Sequence, residues 1–333
     1  MAVFRESLML DLNPEEVTAT RARSKVTLVG IGQVGVACTV SILQANVADE
    51  IALVDIREEK LHREAAHLQH GGLFLNAPKI LVDKDYSVTA NSRLCAVAVG
   101  VHLREGESKH TLLERNVEAF KYIIPNLAKY SPDAVLLIVS NPVDILTYVA
   151  WKLSGFPKHR VIGTGTSPNS ASFRSLLSEK LQINPSNIQG YIIGELGESS
   201  VAVWSGTNVA GVSLQDVDPS WDGDQELTRQ IQRNIADSAK EAGSLRGETS
   251  WALGLSVANL VQAILKNLRT IHCVSTLATG LHGIEDEIFL SLPCILGSCG
   301  VCGILKQPLK ETETRQLRSS AERLGAINKE LRL

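Results

Sequence analysis

Residues 25–139 alternate short apolar runs rich in β-branched residues with longer amphipathic segments, and this alternation constrains the fold more than any other feature. Near-continuous apolar runs are typical of strands buried on both faces of a parallel sheet, whereas apolar residues three or four apart indicate helices. Alternating strands and helices form right-handed βαβ units, so we expect an α/β fold with a doubly wound parallel sheet. Strands are predicted over Lys25–Val29, Glu50–Asp55, Leu94–Val99 and Ala134–Val139, and helices over Val34–Leu43 and Glu58–Gln69.

The second half of the chain is less regular and predicts a mixed α+β domain. Three of its apolar segments are close enough in sequence to pair as antiparallel strands. We expect the two halves to share a large interface with a cleft between them, which is the usual place for a ligand. The predicted strands are Gln189–Ile193, Ser200–Trp204, Val209–Leu214 and Phe289–Leu296. Three helices are predicted: one that begins at Gln225, one over Trp251–Leu265 and one over Thr312–Leu331.

Composition and charge exclude two classes of partner. A net charge of −3 and a pI of about 6.3 give no basic face for nucleic acid or an anionic membrane. No apolar run is long enough to span a bilayer, and Met1–Arg23 lacks the apolar core of a signal peptide. With 333 residues, 44% of them hydrophobic, the chain predicts a soluble, cytoplasmic protein with a sizeable core.

The six cysteines are too few in a chain of this length to form a disulfide framework. Cys299-Gly-Val-Cys302 has the spacing of a metal or redox motif, but a zinc site needs two further ligands and no matching pair is present. We therefore favour a Gly-rich turn with two incidental thiols. The other four, which lie in apolar contexts and are predicted to be core thiols, are Cys38, Cys95, Cys273 and Cys294.

A glycine motif, Gly30-Ile-Gly32-Gln-Val-Gly35, follows the first predicted strand and opens the first helix. In this context Gly30 permits a tight turn, Gly32 lets the backbone approach a pyrophosphate, and Gly35 allows close packing of helix and sheet. Asp55 ends the second strand, where a carboxylate accepts hydrogen bonds from ribose hydroxyls and favours NAD over NADP. Arg57 is close enough to weaken that preference. The alternative is an ordinary glycine turn and a surface aspartate.

Long stretches of the sequence carry a family resemblance, namely Asp49–Asp55, Asp85–Asn91, Val139–Lys152, Val203–Gly206, Gly254–Val257 and Phe289–Leu296. Through them, the whole chain after residue 23 resembles the L-lactate dehydrogenases of animal type. The resemblance implies a lactate/malate dehydrogenase fold with an NAD-binding Rossmann domain over 24–163 and a substrate domain over 164–333. It also implies a cytosolic tetramer, an N-terminal oligomerisation arm over 1–23, and a small 2-oxo or 2-hydroxy acid as substrate.

Two residues that the family uses at its substrate are retained. The segment Val139–Pro142 matches the family, which implies that Asn141 contacts both substrate and nicotinamide. The threonine of the family's substrate domain matches Thr249.

The residues that carry the family's chemistry are replaced. The resemblance places the catalytic histidine at Leu196, the aspartate that orients it at Asn169, and the arginine that binds the substrate carboxylate at Ser172. A leucine cannot transfer a proton at any pH, and a serine offers a neutral hydrogen bond where the family has a bidentate charge. Arg174 has its own arginine counterpart in the family, so it is not an obvious substitute.

The loop over Gly100–Lys109 also differs from the family at its functional positions. The family's arginine that polarises the ketone falls at Lys109, which keeps the charge but loses the planar fork. Its substrate-selecting glutamine falls at Leu103, and an arginine that reaches the cofactor phosphates falls at His102. Lys240 and Glu248 are also new, and we interpret them as a solvated charge pair.

Three functional hypotheses follow from these replacements. The first is an NAD-binding protein that has lost most lactate and pyruvate turnover and acts as a structural or regulatory subunit, alone or in mixed tetramers with active homologues. The second is a dehydrogenase for a less anionic substrate, with Lys109 as its electrophile. The third is an ordinary L-lactate dehydrogenase with more residual activity than its residues suggest.

Overall fold

The centre of the molecule is a ten-stranded sheet. The structure, a computed structural model, describes residues 9–11, 24–75, 79–100, 109–217, 224–230, 233 and 250–331. Six strands run parallel in the order β4-β3-β2-β5-β6-β7, which confirms the predicted doubly wound arrangement. They are β2 (Lys25–Val29), β3 (Glu50–Val54), β4 (Lys79–Asp83), β5 (Leu94–Val97), β6 (Val135–Ile138) and β7 (Val161–Gly163).

The predicted parallel strands are found where their apolar runs lie. Every residue of β5 and β6 is buried, as expected for strands covered on both faces. β2 has the predicted bounds. β3, β5 and β6 are shorter than predicted because the last one or two residues of each apolar run pass into the loop at the carboxyl edge, and β6 also begins one residue later, at Val135. β4 and β7 were not predicted. β4 is a half-exposed edge strand and β7 has three residues, so neither has a long apolar run.

Helices cover both faces of the sheet. The helix after the glycine motif ends at Ala45 and is capped by Asn46, which has a left-handed backbone (φ 52°) and whose N–H donates to the Leu43 carbonyl. The described helices are α1 (Gln33–Ala45), α2 (Glu58–Gly71), α3 (Lys109–Tyr130), α4 (Val143–Ser154), α5 (Ser167–Leu181), α6 (Leu214–Val217), α7 (Ser250–Leu265) and α8 (Glu311–Glu330). Residues 225–230 are also helical. The four helices predicted over 58–69, over 251–265, over 312–331 and from Gln225 are therefore present. Their ends differ from the predicted ends by one or two residues where the structure describes them.

Strands from the second half of the chain extend the same sheet. Ser275 pairs with Gly163, so the antiparallel strands continue directly from β7. Residues 9–11 form the outermost strand, paired with residues 303–305 of the same chain. This continuity was not predicted. The added strands are β1 (Met9–Asp11), β13 (Thr270–Leu277), β14 (Phe289–Gly297) and β15 (Gly300–Leu305).

The remaining strands are short and antiparallel, as predicted, but two predicted strands are each divided in two. The strand predicted over 189–193 is two strands, 188–189 and 192–193, that lie in different sheets, and the strand predicted over 209–214 is a hairpin of 208–209 and 212–213. The short strands form a pair and a group of three, and each strand has two residues. The predicted strand over 200–204 stops early because a 3₁₀ turn begins at Trp204. The strands are β8 (Ile188–Gln189), β9 (Ile192–Ile193), β10 (Val201–Ala202), β11 (Asn208–Val209) and β12 (Val212–Ser213).

One large apolar cluster joins the two halves of the chain through the shared sheet. A smaller cluster packs beneath the short strands, with Phe173 and Trp204 edge to face at 4.9 Å between ring centroids. Within the part of the chain that the structure describes, no helix combines the length and apolar character needed to cross a membrane.

Candidate cofactor cleft and catalytic centre

The glycine-rich turn sits where the strand order changes direction, between β2 and β5. Gly30 adopts a left-handed backbone (φ +93°) and its N–H donates to the Val54 carbonyl at 2.8 Å. A Cβ atom on Gly30 would lie 2.8 Å from the Ala98 carbonyl oxygen, at the end of β5. Only glycine fits there, and such a switch point in a doubly wound sheet is the usual place for a dinucleotide.

The other two glycines of the motif have opposite surroundings. A Cβ atom on Gly35 would lie 1.9 Å from the Gly30 carbonyl oxygen, so Gly35 is required for packing of helix against turn. A Cβ atom on Gly32 would meet nothing within 4 Å, and Gly32 starts α1 without a side-chain cap. The first turn of α1 therefore presents backbone N–H groups to open space, as a pyrophosphate site requires.

Asp55 lies at the end of β3, beside this turn, and is 7% exposed. Its carboxylate accepts hydrogen bonds from the Ile31 N–H at 2.8 Å and the Arg57 N–H at 2.9 Å. The Arg57 guanidinium lies 3.3 Å away. Burial raises the pKa of Asp55, but the hydrogen bonds from Arg57 and Ile31 outweigh it and hold the pKa below its ordinary value. Asp55 is therefore ionised at neutral pH and tied to the glycine motif, which fits a ribose acceptor.

Asn141 follows β6 at the same carboxyl edge and is exposed. The preceding residue, Ser140, is buried and its hydroxyl donates to the Val97 carbonyl at 3.1 Å, which fixes the strand end. Asn141 thus has both the location and the exposure needed to contact a ligand beside the cofactor motif.

Leu196 follows the short strand β9 and is held by its backbone. Its N–H donates to Asp144 Oδ2 at 2.8 Å, and Asp144 Oδ1 accepts from the Ser275 hydroxyl at 2.6 Å. The Leu196 side chain is half-buried and packs on the main apolar cluster. Because Asp144 is on the helix that begins after Asn141, these hydrogen bonds join the Asn141 loop, the Leu196 turn and β13.

Asp144 is the residue of this centre that sequence analysis missed. It is 3% exposed, and burial raises its pKa to about 7, against the hydrogen bonds from Ser275 and the Leu196 N–H. The one sequence feature that could have pointed to Asp144 is a charged residue within a segment of apolar residues. Its partners are 131 and 52 residues away, so the sequence gives no indication of them.

The carboxylate next to Leu196 is occupied by other contacts. Glu195 accepts a hydrogen bond from the Ser199 hydroxyl at 2.6 Å and forms an ion pair with Arg323 of α8. The Glu195 N–H also bonds to the Ser320 hydroxyl at 3.2 Å. Glu198, on the same turn, is exposed. The turn that carries Leu196 is therefore fastened to α8 through Glu195.

Asn169 and Ser172 both lie on α5 and are half-buried. The start of α5 is joined to the strand before Leu196, since the Ser170 hydroxyl accepts from the Ile192 N–H at 3.0 Å. Arg174 donates twice to the Pro185 carbonyl, at 3.0 and 3.3 Å, so it is engaged away from a carboxylate-binding role. The structure brings α5 against the Leu196 segment.

Several predicted site residues lie outside the described residues. They are His102, Leu103, Lys240, Glu248 and Thr249, together with the side chain of Lys109, whose backbone begins α3.

Sequence comparison shows the family of the chain. Residues 24–163 match the model of the lactate/malate dehydrogenase NAD-binding domain, and residues 166–332 match that of the lactate/malate dehydrogenase alpha/beta C-terminal domain. The chain belongs to the lactate/malate dehydrogenase family. It is 54% identical to the human L-lactate dehydrogenase B chain, an alignment that covers all of this chain and 99% of the relative. It is likewise 54% identical to the L-lactate dehydrogenase A chain of Fundulus heteroclitus, over 99% of each.

Family membership explains the geometry of the glycine-rich turn. The predicted cofactor, NAD, is confirmed, since the first matched domain is the NAD-binding domain of the family. The open space above Gly32 and the ionised Asp55 are the features of this chain that fit the pyrophosphate and the ribose.

Proposed function

We propose that this protein binds NAD(H) in the lactate dehydrogenase fold but has lost most or all turnover of lactate and pyruvate. The observation that carries the proposal is Leu196, an apolar side chain at the position where the family resemblance implies a histidine. Its surroundings support this role assignment, because the side chain packs on the apolar core while only its backbone makes polar contacts.

The chemical argument concerns the proton. Bound NAD supplies the hydride acceptor, so the protein must place a group that takes the proton of the substrate hydroxyl. Leu196 has no such group, and losing general acid–base help typically costs about 10²–10⁴ in rate. Glu195 is bonded to Ser199 and Arg323, and Asp144 is fully buried behind the Leu196 backbone. Neither carboxylate is placed to take over the proton transfer.

The substrate carboxylate has also lost its charged partner. Ser172 stands at the position of the family's arginine, and Arg174 is bonded to the Pro185 carbonyl. Replacing a charge-assisted hydrogen bond removes roughly 1.5–3 kcal/mol, or about one to two decades in affinity. The two losses act on one transition state and need not add.

The proposal extends to assembly and location. We infer a cytoplasmic tetramer, of this chain alone or mixed with active homologues. We keep residues 1–23 as its oligomerisation arm, with the strand 9–11 anchoring the arm to residues 303–305 of its own chain. Exposed apolar side chains support an interface, since Leu73 and Phe74 are each 86% exposed at the end of α2. Trp251 and Leu255, one turn apart on α7, are 63% and 59% exposed. We assign the NAD-binding unit to 24–163 and the substrate unit to 164–333, matching the arrangement that the resemblance implies.

A substrate survey tests the proposed function. Purified protein with NADH is given pyruvate, longer 2-oxo acids and an uncharged ketone, and NADH oxidation is followed by absorbance, with an active L-lactate dehydrogenase as control. We expect no substrate to be turned over at a rate within a hundredfold of the control. Turnover of the uncharged ketone would instead support a changed substrate, with Lys109 as electrophile. Rapid pyruvate turnover would contradict the loss of activity.

A further inference from the structure

A pair of thiols lies at the tip of the β14–β15 hairpin, away from the residues used above. Cys299 is in the tight turn between the two strands and Cys302 is on β15. Their sulfur atoms are 3.7 Å apart, although no disulfide joins them in the structure. The sequence favoured a turn with incidental thiols, whereas this distance places the two sulfurs in contact.

A β-bulge brings the two sulfurs together. Ile295 lies opposite Gly303 and Leu296 lies opposite Val301, so Cys302 is the extra residue on its strand. Side chains three positions apart on a regular strand face opposite sides of the sheet. The bulge changes this alternation and turns the Cys302 side chain toward Cys299.

The backbone around the pair is fixed on both sides. The Ser298 N–H donates to Asn267 Oδ1 at 2.9 Å. Gly300 has a left-handed backbone (φ +97°) and packs so closely on the His159 carbonyl that a Cβ atom would lie 2.1 Å from its oxygen. The contact between the two sulfurs is therefore built into the hairpin and does not depend on a freely moving loop.

Exposure separates Cys299 from the other cysteines. Cys299 is partly exposed, whereas Cys302 is 4% exposed. Cys38, Cys95, Cys273 and Cys294 are at most 2% exposed, and burial raises the pKa of Cys38, Cys95 and Cys273 to about 12. Thiolates carry out exchange with disulfides, so these buried thiols are inert at neutral pH. Cys299 is the cysteine that an external reagent can reach.

We propose that Cys299 and Cys302 form an oxidisable dithiol site that reacts with low-molecular-weight disulfides such as oxidised glutathione. The Cys299 thiolate attacks the glutathione disulfide, forms a mixed disulfide and releases one glutathione thiolate. Cys302, already in contact with Cys299, attacks the Cys299 sulfur, and its proton passes to the second glutathione, which leaves as a thiol. Two protein thiols are thereby oxidised to one disulfide, and one glutathione disulfide is reduced to two thiols.

A second class of site for this pair, a metal centre, lacks ligands. Across the described residues, no group of three or more histidine, cysteine, aspartate or glutamate side chains is arranged to hold a metal ion. A disulfide needs only the two sulfurs, which must approach from 3.7 Å to a bond length of about 2.05 Å.

The test uses the full chain equilibrated in glutathione buffers of increasing oxidised fraction. The remaining thiols are alkylated after denaturation and mapped by mass spectrometry. We expect Cys299 and Cys302 to escape alkylation together, with the protein mass lower by two hydrogen atoms, while the four buried cysteines remain alkylated. Alkylation of both hairpin thiols at every glutathione ratio, or a stable glutathione adduct on the wild-type chain, would overturn the proposal.

Two matched variants establish the order of attack. Cys302→Ala should trap the glutathione adduct on Cys299, because the second sulfur is missing. Cys299→Ala should take up glutathione far more slowly than Cys302→Ala does, because its remaining hairpin thiol, Cys302, is buried. Circular dichroism confirms that each variant is folded. Equal glutathione uptake by the two variants would contradict the assignment of Cys299 as the attacking thiol. If either variant fails to fold, the wild-type mass measurement still tests whether the disulfide forms.

Discussion

The cofactor cleft and the catalytic centre of this protein differ in what they retain. At the cleft, both the backbone and the polar side chain fit the binding of NAD. Gly30 and Gly32 leave room for the cofactor, and Asp55 offers a hydrogen-bond acceptor. At the catalytic centre, the backbone of Leu196 is anchored by Asp144 as firmly as a functional turn would need. Under the proposed function, the reactive side chain is the part that this centre lacks.

If the proposed function is correct, the comparison teaches that a site can lose its chemistry and keep its framework. The hydrogen bonds that position the Leu196 turn run through its backbone, through Asp144, and through Glu195 to α8. None of them needs the side chain at position 196. A histidine can therefore be replaced by leucine there at little structural cost, whereas Gly35 cannot be replaced without a clash.

The largest effect expected on the cofactor side is from Gly35→Ala. Its new Cβ atom would lie 1.9 Å from the Gly30 carbonyl oxygen, so the turn or α1 must move and we expect a loss of about 2 kcal/mol or more of stability. Gly32→Ala is the matched control, because its Cβ atom meets nothing within 4 Å. That variant should remain folded, with an unchanged thermal midpoint, and bind NADH more weakly. Equal thermal midpoints for the two variants would refute the different roles given to these glycines.

The second prediction restores, at the candidate catalytic centre, the side chains that the family resemblance implies. We expect Leu196→His combined with Asn169→Asp and Ser172→Arg to raise pyruvate reduction by about a hundredfold or more, since general acid–base help alone is worth 10²–10⁴. The control carries Leu196→Gln with the same two partners, because glutamine is polar but cannot transfer the proton. If both triple variants are equally inactive, the framework around Leu196 is not competent and the proposed separation is wrong.

Asp144 links stability to pH at the retained framework. Burial raises its pKa from 3.8 to about 7, so between these values the folded protein binds more protons than the unfolded chain. This contribution to stability is complete below about pH 4 and is lost as the pH rises through about 7. Denaturant unfolding from pH 5 to 8 should show the decline, and Asp144→Asn should flatten it. A slope that is unchanged in the variant would exclude Asp144 as its source.

The smallest effect expected concerns Arg57, beside the ribose acceptor. Its guanidinium lies 3.3 Å from Asp55 and is 59% exposed, so it can meet a 2′-phosphate that Asp55 alone would repel. An exposed contact of this kind is worth about 0.2–1 kcal/mol, so Arg57→Ala should lower NADPH affinity relative to NADH by up to about fivefold. Lys84→Ala, which removes a cation paired with Glu58, is the control. An unchanged ratio would show that Arg57 does not affect cofactor choice.

Most of the parallel sheet could be predicted, because each strand is marked by its own local apolar run. The glycine motif and Asp55 could be located for the same reason, since strand, turn and helix follow one another in sequence. The antiparallel strands β13 and β15 were missed. The apolar run of β15 is interrupted by Gly300 and Gly303, and the mixed sequence of β13, with His272 and several hydroxyl residues, lacks a continuous apolar run.

At the candidate catalytic centre, the resemblance predicts which positions are replaced but not the contacts around them. The resemblance gave the positions of Leu196, Asn169 and Ser172, whereas the contact between Asp144 and the Leu196 N–H joins residues 52 apart. Likewise, the spacing of Cys299 and Cys302 was visible, but the bulge that brings their sulfurs together depends on the register of β14 against β15.

The most direct test of the central claim is a single-turnover measurement on wild-type protein. NADH is bound first and its fluorescence enhancement gives the affinity, after which saturating pyruvate is mixed in and the bound NADH signal is followed. We predict a clear enhancement on binding, from the intact turn and Asp55, and a signal that persists after pyruvate is added. Rapid decay of the bound NADH would contradict the account, because it would mean that the centre at Leu196 still transfers hydride and proton efficiently.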